Sequence, residues 1–74
     1  MNGEPSAALL RKLRARYPVG TRVELVKMDD TQAPPIGTRG TVIAVDDIGT
    51  IHVRWDNGSS LGVVFGEDLC RSVD

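Results

Sequence analysis

The stretch TIHVRWDNG, residues 50–58, alternates apolar and polar side chains and then stops. Successive side chains of an extended chain point to opposite faces, so Ile51, Val53 and Trp55 share one face and Thr50, His52 and Arg54 the other. Asn57-Gly58 reverses the chain, because both residues tolerate the positive φ that a type I′ hairpin turn requires. Asp56 beside them is expected to accept nearby backbone N–H groups. The stretch therefore reads as a strand and its turn rather than a catalytic corner. Parity puts Trp55, the single tryptophan, in the core, with its indole edge close enough to the strand end to serve a partner.

Outward from this strand, TRVELVKM (21–28), GTVIAV (40–45) and SLGVVF (60–65) read as further strands, and DLCRSV (68–73) as a short fifth strand or closing turn. DDTQAPP (29–35) is a polar loop whose two prolines leave few ladder hydrogen bonds, and DDIG (46–49) is a tight turn. Five short strands joined by tight turns predict a mainly β fold, a small five-stranded SH3-like barrel, because closure removes exposed sheet edges.

The N-terminal part has a different period. Residues 1–5 are expected to be frayed. Ser6 suits an N-cap, Leu9, Leu10, Leu13 and Tyr17 form an apolar stripe at helical spacing, and Pro18 and Gly20 stop the element. An amphipathic helix over 6–17 followed by the barrel over 18–74 makes one domain. One echo links the first two strands: Pro18-Val-Gly-Thr-Arg22 and Pro35-Ile-Gly-Thr-Arg39 lie 17 residues apart. Each precedes a strand, so the echo reads as one local solution used twice, with a glycine for the turn and a threonine to open the strand.

With 74 residues, one cysteine (Cys70) and one histidine (His52), the chain can form neither an internal disulfide nor a Cys/His zinc site. The fold must rest on packing and hydrogen bonding. A lone thiol and the lack of a leader point to a cytoplasmic setting, and no apolar run is long enough to span a membrane. His52 points away from the core with no sequence link to Cys70, so no nucleophile–base pair is apparent. The acid pairs Asp29-Asp30 and Asp46-Asp47 adjoin turns, where Asp serves its own backbone. No cofactor or metal site is expected, and the chain reads as a non-enzyme.

Charge is unevenly distributed. Residues 1–22 carry five basic residues and one acid, and residues 23–74 four basic residues and nine acids. Arg11, Lys12, Arg14 and Arg16 of the helix are thus candidate nucleic-acid contacts, although basic residues also suit the C-terminal end of a helix. The protein-binding candidates are Asp29, Asp30 and Gln32 of the long polar loop, together with Arg54 and Trp55, since function on a small scaffold concentrates in such loops.

Across Leu9 to Asp68 the chain resembles a small uncharacterised bacterial family met in phages and conjugative elements. Gly20, Thr21, Arg22, Asp29, Pro34, Pro35, Gly37, Gly40, Asp46, Gly49, Trp55, Asp56, Asn57 and Gly58 carry that likeness. It implies a mobile-element setting in a bacterial cytoplasm and no assigned activity or cofactor. A second likeness, to the mind-bomb-type SH3-like domains of ubiquitin ligases, rests on Arg22-Val23, Gly40-Thr41-Val42, Val53, Trp55, Asp56 and Gly58, and implies a barrel that binds peptide segments. Together these readings predict a protein-binding module with an unidentified protein or peptide partner. A nucleic-acid-binding accessory protein is the alternative.

Overall fold

A computed structural model of the chain describes residues 5–73. Helix α1 spans Ala7–Arg16 and is followed by strands β1 (Arg22–Lys27), β2 (Arg39–Val45), β3 (Thr50–Trp55), β4 (Val63–Val64) and β5 (Leu69–Ser72). The segment expected to be frayed lies outside the described residues apart from Pro5. Ser6 caps α1, accepting the Leu9 N–H on its Oγ at 3.1 Å. The helix closes with the Tyr17 N–H donating to the Leu13 carbonyl at 2.8 Å, immediately before Pro18.

The strands form one antiparallel sheet in the order β4-β3-β2-β1-β5. The fold is mainly β with one helix, as expected. Hydrogen bonding leaves the sheet with two edges, β4 and β5, so the ladder of a closed barrel is not completed. A single bridge, Phe65 to Asp68, stands at the junction of the two edges. Those edges are nevertheless joined through a turn in which the Glu67 and Asp68 N–H groups both donate to the Val64 carbonyl. A flat sheet would hold strands four spacings apart at ~19 Å, so this sheet is curled. The expected six-residue strand at 60–65 shrinks to Val63–Val64.

The concave face holds Val23, Leu25, Val42, Ile51, Val53, Trp55, Val63 and Cys70, and Leu13 of α1 and Tyr17 at its C-terminal cap lie against them. Among the described residues, nothing polar or charged is buried. Trp55 is 1% exposed, and its indole N–H donates to the Leu61 carbonyl at 2.8 Å. The turn after it differs from the expected type I′. No non-glycine residue among those described has positive φ, and only Gly58 of this turn does, at 92°. The Gly58 N–H donates to the Trp55 carbonyl and the Trp55 N–H to Ser59, which is a type I turn closed by a left-handed glycine. Asn57 serves that turn by accepting the Ser59 N–H at 3.0 Å. The Asp56 carboxylate, expected to do so, instead meets Arg22.

The echo at a spacing of 17 runs further than the sequence shows. Thr21 N–H donates to Pro18 and Thr38 N–H to Pro35, across Gly20 and Gly37, whose φ values are 96° and 94°. Each turn then clasps the opposite strand, Gly20 to Val42 and Gly37 to Leu25. Val23 pairs with Gly40 and with Ser72, while Gly40 pairs with Trp55. A local twofold rotation that exchanges Val23 and Gly40 therefore carries β5 onto β3, and Ser72 onto Trp55. Both outer ladders carry a bulge at matching places, between Leu25 and Lys27 in β1 and between Val42 and Ala44 in β2. Each bulge inserts one exposed apolar residue, Val26 or Ile43. That restores the parity by which Met28 and Val45 return to the core.

Candidate binding surfaces

The core is open to the surface at the seam where β4 meets β5. A cleft of about 270 Å³ lies between α1 and the two edges, lined mostly by apolar residues, among them Leu13, Tyr17, Ile51, Phe65 and Leu69, together with Arg16 and Asp68. Phe65 is 52% and Leu69 54% exposed. Phe65 is exposed because the chain leaves β4 after Val64, and Leu69 because it alternates with the buried Cys70 in β5. A second cleft, of about 370 Å³, adjoins the first at Asp68 and is lined by Asp29, Asp30, Thr50, Gly62, Glu67 and Asp68. Asp68 also holds the seam together, since its Oδ2 accepts the Val64 N–H at 2.9 Å. Asp30 shapes its own loop by accepting the Gln32 N–H at 2.7 Å. The apolar cleft can take an uncharged side chain, and the acidic one favours a cation beside it.

The convex face of the sheet is a second surface. Arg22, Glu24, Arg39, Thr41, Arg54 and Arg71 project from it, opposite in parity to the core residues of their strands. The Arg22 guanidinium grips Asp56 through two bonds of 2.9 and 2.6 Å. That contact holds the Asp56 carboxyl below its ordinary range. Glu24 takes Arg39 on one oxygen and Arg71 on the other, each at 3.3 Å. Arg54 has no ion-pair partner among the described residues.

These surfaces redistribute the residues expected to act together. Asp29 and Asp30 line the acidic cleft, and Gln32 is exposed in the same loop. Arg54 belongs to the convex face instead. Trp55 is enclosed with its N–H already bonded, so it offers no edge to a partner. Of the helix cations, Arg14 is tied to Asp47 at 2.7 Å and to the Val45 carbonyl, and Arg16 lies over the Tyr17 ring at 5.8 Å. Arg11 and Lys12 are exposed.

His52 is not solitary: its Nε2 lies 2.8 Å from Asp46 Oδ2. The other Asp46 oxygen accepts the Ile48 and Thr50 N–H groups. The His52 contact first, then the Thr50 N–H, hold the Asp46 carboxyl below its ordinary range. Burial pushes the Cys70 thiol up, and the Tyr17 hydroxyl reaches the Cys70 carbonyl at 3.5 Å. Among the described residues no group of three or more His, Cys, Asp or Glu is placed to hold a metal ion, and no helix is long and apolar enough to cross a membrane. Phe65, Leu69 and the grouping of the four arginines escaped sequence reasoning. The two apolar residues read as strand interior, and the arginines become neighbours only once the strand register is known.

A family model described as "Domain of unknown function (DUF4314)" matches residues 6–73. No curated protein and no solved structure matches the chain.

Proposed function

Since the chain belongs to the DUF4314 family, whose description assigns no activity, we propose from its geometry that it is a non-enzymatic protein-binding module that docks an extended segment of its partner at the β4–β5 seam. The observation that carries this is the half-exposure of Phe65 and Leu69 around an apolar cleft that adjoins an acidic one. Large apolar side chains left at a concave opening mark interaction sites more often than scattered surface residues do. The acids Asp29, Asp30 and Glu67 select a partner segment that places Lys or Arg next to a large apolar residue. The description of the curled sheet as an SH3-like barrel, and the mobile-element and cytoplasmic setting drawn from the resemblance, belong to the same proposal.

Panning a random peptide display library on the full chain tests it. Enriched peptides are expected to pair a large apolar residue with a basic one. Phe65→Ser is expected to weaken a synthetic enriched peptide by roughly 10- to 100-fold, the worth of burying one large apolar side chain. Asp29→Ala with Asp30→Ala is expected to abolish the preference for the basic residue, with near-UV circular dichroism unchanged in both variants. Failure to enrich any peptide, or equal binding to Phe65→Ser, refutes the proposal.

A further inference from the structure

The local twofold of the sheet also orders its convex face. The rotation that exchanges Val23 with Gly40 exchanges Arg22 with Arg39, and it carries Arg71 of β5 onto Arg54 of β3. The four arginines are thus two symmetry-related pairs. The inner pair sits diagonally across β1 and β2, with side chains ~7–8 Å apart. The outer pair lies on β3 and β5, on either side of the inner pair and two residues apart along the strands. Glu24 and Asp56 stand among the four arginines and Asp46 meets His52 at the edge of the face, so its balance is positive while the whole chain carries −1.

The centre of the face holds Arg22, Glu24, Arg39, Thr41, Arg54 and Arg71, with no aromatic side chain; its exposed apolar residues, Val26 and Ile43, stand apart from one another at the two bulges. A protein interface needs an apolar, desolvated centre, and single-stranded nucleic acid needs aromatic platforms for its bases. This face supplies neither. Contact with a phosphate backbone needs neither, only guanidinium groups held in register. A duplex presents two antiparallel backbones related by local dyads, flanking a major groove about 12 Å wide. A convex array of arginines with its own dyad matches that arrangement.

From this geometry we infer that the convex face binds the phosphate backbones of double-stranded nucleic acid without reading sequence, through Arg22, Arg39, Arg54 and Arg71. Arg54, which has no ion-pair partner, and its symmetry mate Arg71 reach opposite backbones. Glu24 moderates the affinity by holding Arg39 and Arg71. The surface is separate from the β4–β5 seam, so the inference does not rest on peptide binding.

Fluorescence anisotropy of a labelled random-sequence DNA duplex, titrated with the full chain, tests it. Two to four neutralised phosphates give a slope of log K against log salt of about −1.8 to −3.6. Between ~50 and ~200 mM salt, affinity is then expected to fall roughly 10- to 150-fold. Arg54→Gln and Arg71→Gln are expected to weaken binding by similar factors, and Arg54→Gln removes no ion pair on which folding could depend. Glu24→Gln is expected to tighten binding and steepen the slope by about one. The inference is overturned by no duplex binding at ~50 mM salt or by undiminished binding of the Arg54→Gln, Arg71→Gln double variant. It is equally overturned if binding is lost only on Arg11→Ala with Lys12→Ala, or if a labelled polyglutamate peptide or a single strand binds more tightly than the duplex.

Discussion

Gly40 stands at the pivot of the local twofold, between Val23 and Trp55, and Gly40→Ala probes how tightly β2 is held against β3. A Cβ at this position would lie 2.6 Å from Val53 Cγ1, 2.7 Å from the Arg54 carbonyl oxygen and 3.0 Å from Trp55 Cα. The Val53 methyl could turn aside. The two backbone atoms cannot withdraw without parting the ladder. Overpacking a core ordinarily costs about 1–3 kcal/mol, and two backbone obstacles put this case at the upper end. Restricting the unfolded chain returns about 0.4–1 kcal/mol. The expected net loss is ~2 kcal/mol, from a domain whose size implies a total of roughly 4–11 kcal/mol. Thermal unfolding should fall by about 8–16 °C. Urea titration followed by the fluorescence of Trp55 should show a lower midpoint at unchanged slope. Gly62→Ala is the control. Its Cβ would lie 2.5 Å from a side-chain atom, Thr50 Cγ2, so adding Thr50→Ser should recover most of the loss. No such recovery is expected when Val53→Ala is added to Gly40→Ala. If Gly40→Ala stays within about 0.5 kcal/mol of the parent, the range of an ordinary surface change, or if Val53→Ala rescues it, the backbone argument fails.

Acid should weaken the turn at residues 46–50. A carboxyl whose folded value is lowered stabilises the fold above its unfolded value near 3.9, and that contribution disappears as pH falls through the folded value. Asp46→Asn should therefore lower the urea midpoint at neutral pH, and the gap to the parent should close as the pH drops below about 4. A gap that is constant into strong acid would contradict the role given to His52 and the Thr50 N–H. Cys70, buried and with its thiol pushed up by that burial, should react with a soluble disulfide reagent only as fast as the chain opens. Rapid labelling of the native protein without denaturant would show that β5 is not seated as described.

Much of the sheet could be read from local pattern, because β1, β2 and β3 each alternate before a proline, glycine or acid interrupts them. The helix was equally legible from Ser6, the leucine stripe and Pro18. Phase was lost where apolar residues run together. Nothing in LVKM or VIAV says which valine or isoleucine is the inserted one, since Val26 and Ile43 are as apolar as their buried neighbours. Asn57-Gly58 predicted a turn correctly but not its type, because an asparagine can serve a turn through its side chain as well as through positive φ. The strand expected at 60–65 is shorter than its pattern suggests, since pairing with β3 begins only at Val63. Contacts between distant residues could not be read at all. Arg22 finds Asp56 34 positions away and Arg14 finds Asp47 33 positions away, and such distances become neighbourhoods only through register. The binding surfaces were illegible for the same reason.

The seam also bears on how the chain behaves in a crowd of its own copies. Fibril growth needs a long rim of unused amide donors and acceptors on which another copy can lay a strand. Here one rim, β4, is two residues long. The other, β5, is four residues long, and the Tyr17 hydroxyl stands 3.5 Å from its Cys70 carbonyl. The gap that leaves Phe65 and Leu69 accessible therefore offers grip to side chains but almost no template for backbone polymerisation.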